Sequence, residues 1–135
     1  MPIAPDVYTR IIAAKAFIDQ NFHESIGLDC ISRQACISRY HFHRLFTLIY
    51  NKTPHRYLTQ KRINQALELL KEEELSVQEV CSSVGFESIG SFSVLFKKEI
   101  GFPPNSYRKK AWLKKQQTKQ QPEKFIPGCF LANFS

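Results

Sequence analysis

Phe42-His43-Arg44-Leu45-Phe46 is followed by Pro54 and Tyr57; fifty residues on, Phe92-Ser93-Val94-Leu95-Phe96 is followed by Pro104 and Tyr107. Upstream of both runs the match continues at an offset of 49, Leu28 answering to Val77, Ile31 to Val80 and Ala35 to Val84. One inserted residue accounts for the change of offset. Residues 28–62 and 77–112 are therefore two copies of one unit. Each copy reads as a short helix, a tight turn, a longer helix with an F-x-x-L-F core and a helix opened by proline. Short helix, turn and longer helix make the helix-turn-helix layout, whose second helix enters the DNA major groove.

Working outward, helix-period patterns cover the chain as far as residue 114, and no stretch alternates as a strand does. Ile11, Ile12, Ala14, Phe17 and Ile18 predict an amphipathic helix between Tyr8 and Phe22, and Gly27 marks a break. Ser38 is placed to cap the helix that buries Phe42, Leu45, Phe46 and Ile49. Thr53 before Pro54 caps a long helix to about residue 71, with Tyr57, Leu58, Ile63, Ala66, Leu67 and Leu70 inside. Ser76-Val77-Gln78-Glu79 is a capping box, and Gly85-Phe86 a turn. The expected fold is all-α with about seven helices. Two helix-turn-helix units, about 28–50 and 76–100, are joined by a linker helix at about 54–71, and a last helix spans about 103–114.

Composition bounds the function. The chain has 135 residues, 43% of them hydrophobic, enough for a real core. Its net charge of +7 favours an anionic partner. No apolar run approaches the length of a membrane span, and the start lacks the basic and apolar regions of a signal peptide. The expected location is the cytoplasm. Cys30, Cys36, Cys81 and Cys129 are then reduced thiols, the first three read as small buried side chains. Cys36, His41 and His43 have no metal-ligand spacing. There is no nucleophile elbow, paired-carboxylate site or phosphate-binding glycine loop. The chain is expected to be no enzyme, to carry no cofactor and to bind no metal.

Removing the core residues from the second helix of the first unit leaves Arg39, Tyr40, His43, Arg44 and Thr47. Such a face suits bidentate arginine contacts to guanine or phosphate and apolar contact with thymine methyls. The equivalent face of the second unit is Ile89, Gly90, Ser93 and Val94, followed by Lys97 and Lys98. Only Ser93 there can hydrogen-bond a base edge through its side chain. Ile89 and Val94 can touch thymine methyls, and the two lysines can hold phosphate.

These residues resemble the DNA-binding domain of the AraC/XylS family of bacterial transcription regulators. The second unit carries most of the likeness, in Val80-Cys81-Ser82-Ser83-Val84-Gly85-Phe86, Phe92-Ser93-Val94-Leu95-Phe96-Lys97-Lys98 and Gly101-Phe102-Pro103-Pro104 with Tyr107-Arg108. The first contributes Cys36-Ile37-Ser38 and Phe42-His43-Arg44-Leu45-Phe46. The resemblance covers about residues 8–112. It implies a sequence-specific regulator of transcription that lays two recognition helices into successive major grooves on one face of double-stranded DNA. The two half-sites would lie about one helical turn, ~34 Å, apart. It also implies RNA polymerase as a partner, and the tandem units let a monomer make a two-part contact. The family often has alanine where Cys81 stands and arginine where Val94 stands, so reading should be strong in the first unit and weak in the second. With the first helix beginning within eight residues of Met1, the chain resembles members without an effector-binding domain.

The DNA-binding domain is expected to occupy residues 1–113. Residues 114–135 fall outside the repeat. Lys114 to Lys124 reads as a basic, solvated linker, and the apolar stretch from Phe125 to Phe134 as a segment that packs on the domain or on a partner. The rival reading is a helical interaction protein that has lost specific DNA reading and binds a protein through its second unit or its tail.

Overall fold

The computed structural model describes residues 3–72 and 74–120, the last three as backbone only. The described residues form seven helices and no strand: α1 (Pro5–Asn21), α2 (Leu28–Gln34), α3 (Arg39–Tyr50), α4 (Pro54–Leu70), α5 (Val77–Ser83), α6 (Ile89–Ile100) and α7 (Pro104–Gln120). The duplication holds to the residue. Helices α2 and α5 have 7 residues each, α3 and α6 have 12, and α4 and α7 have 17. Helix α1 also has 17 residues, and it starts 49 positions before α4. The order α1-α2-α3-α4 is thus repeated as α4-α5-α6-α7, with α4 common to both.

The chain divides into two compact units, one ending at Gln65 and the other beginning at Ala66, so the boundary falls inside α4. Each repeat buries its own aromatic set, which is why a chain read as one domain of residues 1–113 condenses around two centres. Helix α7 also runs on to Gln120, beyond the residue 114 at which the sequence reading ends it. Residues 114–120 are mostly lysine and glutamine, good helix formers, with no breaker among them. The apolar stretch Phe125–Phe134 lies outside the described residues.

Local chemistry sets the helix ends. Ser38 Oγ accepts the His41 backbone N–H at 3.3 Å, and Ser88 Oγ accepts that of Ser91 at 3.2 Å. Thr53 Oγ1 accepts the Arg56 N–H at 3.1 Å. Ser76 and Glu79 close both arms of the capping box, at 3.0 and 3.2 Å. Left-handed backbone recurs with the same repeat. Cys36 (φ 57°) and Gly85 (φ 100°) turn the chain between the helices of each helix-turn-helix, and Asn51 (φ 60°) and Gly101 (φ 96°) end α3 and α6. Because Cys36 sits in that turn, its thiol is exposed rather than buried; Cys30 is half-buried and Cys81 buried.

The first unit packs α1 against α2 and α3 around Ile11, Ala14, Ile18, Ile31, Ala35, Phe42, Leu45, Phe46 and Leu58. Ile49, read as a core residue, is only partly buried against that cluster, and Ile12 is exposed. In the second unit Val80, Cys81, Val84, Phe92, Phe96, Ile100 and Tyr107 are buried, while Leu95 is half-exposed. The ring pairs repeat closely. Phe42–Phe46 and Phe92–Phe96 both have centroids 5.6 Å apart, and Phe46–Tyr57 and Phe96–Tyr107 lie at 5.8 and 5.7 Å. The Phe–Phe pairs are tilted and the Phe–Tyr pairs edge-on, and aromatic pairs of this kind contribute about 0.5–1.5 kcal/mol beyond their buried area.

The tyrosines then part company. The Tyr57 hydroxyl donates to Asp19 Oδ1 on α1, and Lys15 and Lys61 hold the same carboxylate at 3.1 and 3.2 Å. Burial pushes the Asp19 carboxyl up, but the hydrogen bonds from Tyr57, Lys15 and Lys61 outweigh it and hold it below its ordinary value. The Lys15 ammonium is pushed up to about 12, chiefly by Tyr57 and Asp19. Tyr107 is buried, and that burial pushes its hydroxyl up to about 12.

Candidate nucleic-acid interface

The second helix of each helix-turn-helix sinks one stripe into its unit and turns the rest outward. On α3, Phe42, Leu45 and Phe46 are buried; Tyr40, His43 and Arg44 project away from that stripe, Arg39 stands at the first residue of the helix, and all four are exposed. Tyr40 is 79% exposed. Thr47 is half-buried, and its hydroxyl donates to the His43 carbonyl oxygen at 2.7 Å, so only its acceptor side faces outward.

Arg39 is not an isolated cation. Its Nη1 lies 3.1 Å from Oδ1 of Asp29, in the first turn of α2. A separation of ten residues has no local periodicity, so the sequence gives no sign of this pair. Leu48, 60% exposed, is a second feature missed. It stands four residues beyond Arg44 and eight beyond Tyr40, which extends the outward stripe by one turn. Together with Ile3, Tyr40, His43, Arg44, Thr47 and Ile49 it lines an open hollow of about 670 Å³. That spacing was present in the sequence and could have identified it.

On α6, Phe92, Phe96 and Ile100 are buried, and Ile89, Gly90, Val94, Lys97 and Lys98 are exposed, with Ser93 half-buried. Gly90, Val94, Lys97 and Lys98 thus lie away from the buried stripe, while Ile89, in register with it, is exposed at the first residue of the helix. Val94 is 72% exposed, where the equivalent residue of α3 is Arg44. A Cβ built on Gly90 meets nothing nearer than Ser88 Oγ at 3.5 Å, an ordinary contact. The glycine is therefore not required by packing, and it leaves the α6 backbone bare on the outer face. Lys97 and Lys98 lie in the last turn of α6, where a cation also suits the carbonyl end of the helix. The first face thus carries hydrogen-bond donors and an aromatic ring, the second mostly methyl groups and terminal charge. Among the described residues, no cluster of three or more histidine, cysteine, aspartate or glutamate side chains has metal-binding geometry.

A family model for helix-turn-helix domains matches residues 31–110, which takes in both motifs. The chain belongs to the AraC/XylS family. It is 36% identical over 107 residues to the HTH-type transcriptional regulator AlkR of Acinetobacter baylyi, covering 79% of this chain and 34% of that protein. It is 29% identical over 100 residues to the transcriptional activator RhaS of Escherichia coli, covering 74% of this chain and 36% of that one. The chain thus spans about a third of the length of these AraC/XylS relatives. Among solved structures it is similar to the DNA-binding domain of AdpA, a global transcriptional factor, in complex with a target DNA. There the TM-score is 0.71 at 26% identity, over 83% of this chain and 96% of that one.

Proposed function

We propose that this chain regulates transcription by binding double-stranded DNA, reading sequence with the outer face of α3 and, more weakly, of α6. The observation that carries the reading is the pair of matched helix-turn-helix motifs whose second helices present exposed polar and methyl groups opposite their buried stripes. Arg44 would offer its two-pronged guanidinium to guanine, with His43 and Tyr40 beside it and Thr47 as an acceptor. On α6, Ser93 would reach a base edge, Ile89 and Val94 would contact thymine methyls, and Lys97 and Lys98 would hold phosphate. Gly90 would let the α6 backbone come close to the DNA. This assigns base reading chiefly to the first unit. The structure of AdpA with its target DNA supports duplex DNA as the ligand.

The protein is proposed to act in the cytoplasm, as a monomer on DNA, with RNA polymerase as the partner through which regulation reaches transcription. No helix among the described residues is long and apolar enough to cross a membrane. The reading of an interaction protein without DNA specificity rests on the exposed Ile89 and Val94, and contact with thymine methyls accounts for the same exposure.

The test is selection of binding sites from random duplex DNA at two salt concentrations. The expected product is a two-part motif, its halves about one turn (~34 Å) apart, well defined at one half and degenerate at the other. An absence of any enriched sequence, with binding that disappears at modest salt, would leave only phosphate attraction and overturn specific reading.

A further inference from the structure

We propose that Asp29 is a specificity-determining residue for DNA reading, acting as a positioning residue on Arg39. The inference rests on the function proposed above and adds to it a residue outside the recognition helix. Asp29 Oδ1 accepts from Arg39 Nη1 at 3.1 Å, and the two side chains are 61% and 63% exposed. Arg39 is the first residue of α3, where its donors would face the DNA; Asp29 lies in the first turn of α2.

The helix-turn-helix scaffold does not need this pair. At the matching positions of the second unit stand Gln78 and Ile89, and α5 and α6 form there with the same lengths as α2 and α3. An exposed ion pair between flexible side chains also adds little to stability. Its chemistry therefore points to the ligand. A carboxylate bound to one prong of the guanidinium lowers the attraction of Arg39 for phosphate in general. The remaining donors stay available where a base edge meets them in the held orientation. Without Asp29, Arg39 becomes a free cation that can clamp phosphate at any sequence.

The experiment measures binding of the full chain to its selected duplex and to a scrambled duplex of equal length, across a salt series. It compares the unmodified protein, Asp29→Asn, Arg39→Ala and the double variant, with circular dichroism confirming equal helix content. Asp29→Asn is expected to tighten binding to the scrambled duplex and reduce the preference for the selected one by roughly two- to fivefold. Its slope of log affinity against log salt should steepen by about 0.9, the signature of one further phosphate contact. The double variant should lose both effects. Unchanged preference and slope in Asp29→Asn would overturn the proposal, as would a gain that persists in the double variant, since the lost negative charge would then act without Arg39. If the unmodified protein shows no preference between the duplexes, the DNA-reading function itself fails, and this inference with it.

Discussion

Arg62 and Arg108 place the same fork on the same kind of target from positions that do not match in the repeat. Arg62 Nε donates to the Phe22 carbonyl at 2.7 Å and its Nη2 to that of Glu24 at 2.9 Å, just past the end of α1. Arg108 Nε donates to the Leu70 carbonyl at 3.0 Å and its Nη2 to that of Glu72 at 3.1 Å, at the end of α4. At the fifty-residue offset Arg108 answers to Leu58, and Arg62 to Trp112, so the two arginines stand one helical turn apart in their parent helices. In both units a cation meets one carbonyl at the end of a helix and a second two residues on, in the segment that leaves it.

Replacing either arginine by alanine should therefore loosen the helix end ahead of the corresponding helix-turn-helix. The expected cost is about 1.5–3 kcal/mol each, the range for hydrogen bonds to charged groups. Lysine should restore only part of it, because an ammonium lacks the planar fork. Urea denaturation of the four single variants measures this; a lysine variant as stable as the parent would show that charge alone suffices.

Cys36→Gly should stabilise the protein. Cys36 holds φ 57° at the turn where the second unit uses Gly85, and a side chain there carries a left-handed penalty of about 1–2 kcal/mol. Glycine removes it but brings more freedom to the unfolded chain. The net gain should be about 0.5–1 kcal/mol, seen as a raised denaturation midpoint. Gly85→Ala should lower the midpoint by a similar amount.

Much of this was legible in the sequence because both repeats solve the same packing problem with the same residue types. Phe42, Phe46 and Tyr57 have counterparts in Phe92, Phe96 and Tyr107, and the caps Ser38, Thr53 and Ser76 are local signals that involve only neighbouring residues. The outward faces followed by subtraction from the buried stripes. What escaped was non-local or energetically quiet. Asp29–Arg39 and the two arginine forks join residues 10 to 40 apart with no pattern between them. The extension of α7 to Gln120 needed no signal, only the lack of a breaker.

The stability of the first unit should depend on pH at both extremes. The Asp19 carboxyl is held below its ordinary value of 3.8 in the folded chain. Its contribution is present above about pH 4 and is lost as pH falls through the lower folded value. Lys15 is raised from 10.5 to about 12, so its contribution is complete below pH 10.5 and lost as pH rises through 12. Asp19→Asn should weaken both dependences at once, because the carboxylate is a shared partner. Denaturation midpoints at pH 3, 7 and 11 test this; an Asp19→Asn variant with the parent's full acid and alkaline losses would contradict it.

Arg44 and Val94 occupy matching places on α3 and α6. Arg44→Ala should reduce discrimination at the best-defined half of the binding site by about 1–3 kcal/mol, the worth of one bidentate base contact. Val94→Arg should do the reverse and sharpen the degenerate half. Neither should move the denaturation midpoint by more than about 0.5 kcal/mol, since both side chains are exposed. Repeating the site selection with each variant gives the measurement; a uniform change in affinity without any change in preferred sequence would place these residues on phosphate instead.

The strict matching of helix lengths between α2-α3-α4 and α5-α6-α7 has a consequence for heredity. The positions that hold the helices together and the positions that face outward are different sets, so the outer set can change by mutation while the inner set stays under constraint. Arginine could become valine, or the reverse, at residue 94 without threatening the chain's survival. Under the proposed function, the twin motifs would give such a lineage two independently adjustable readers. One could preserve an existing set of controlled genes while the other drifted toward a new set, and a change of regulatory wiring would not have to begin with loss of the old connection.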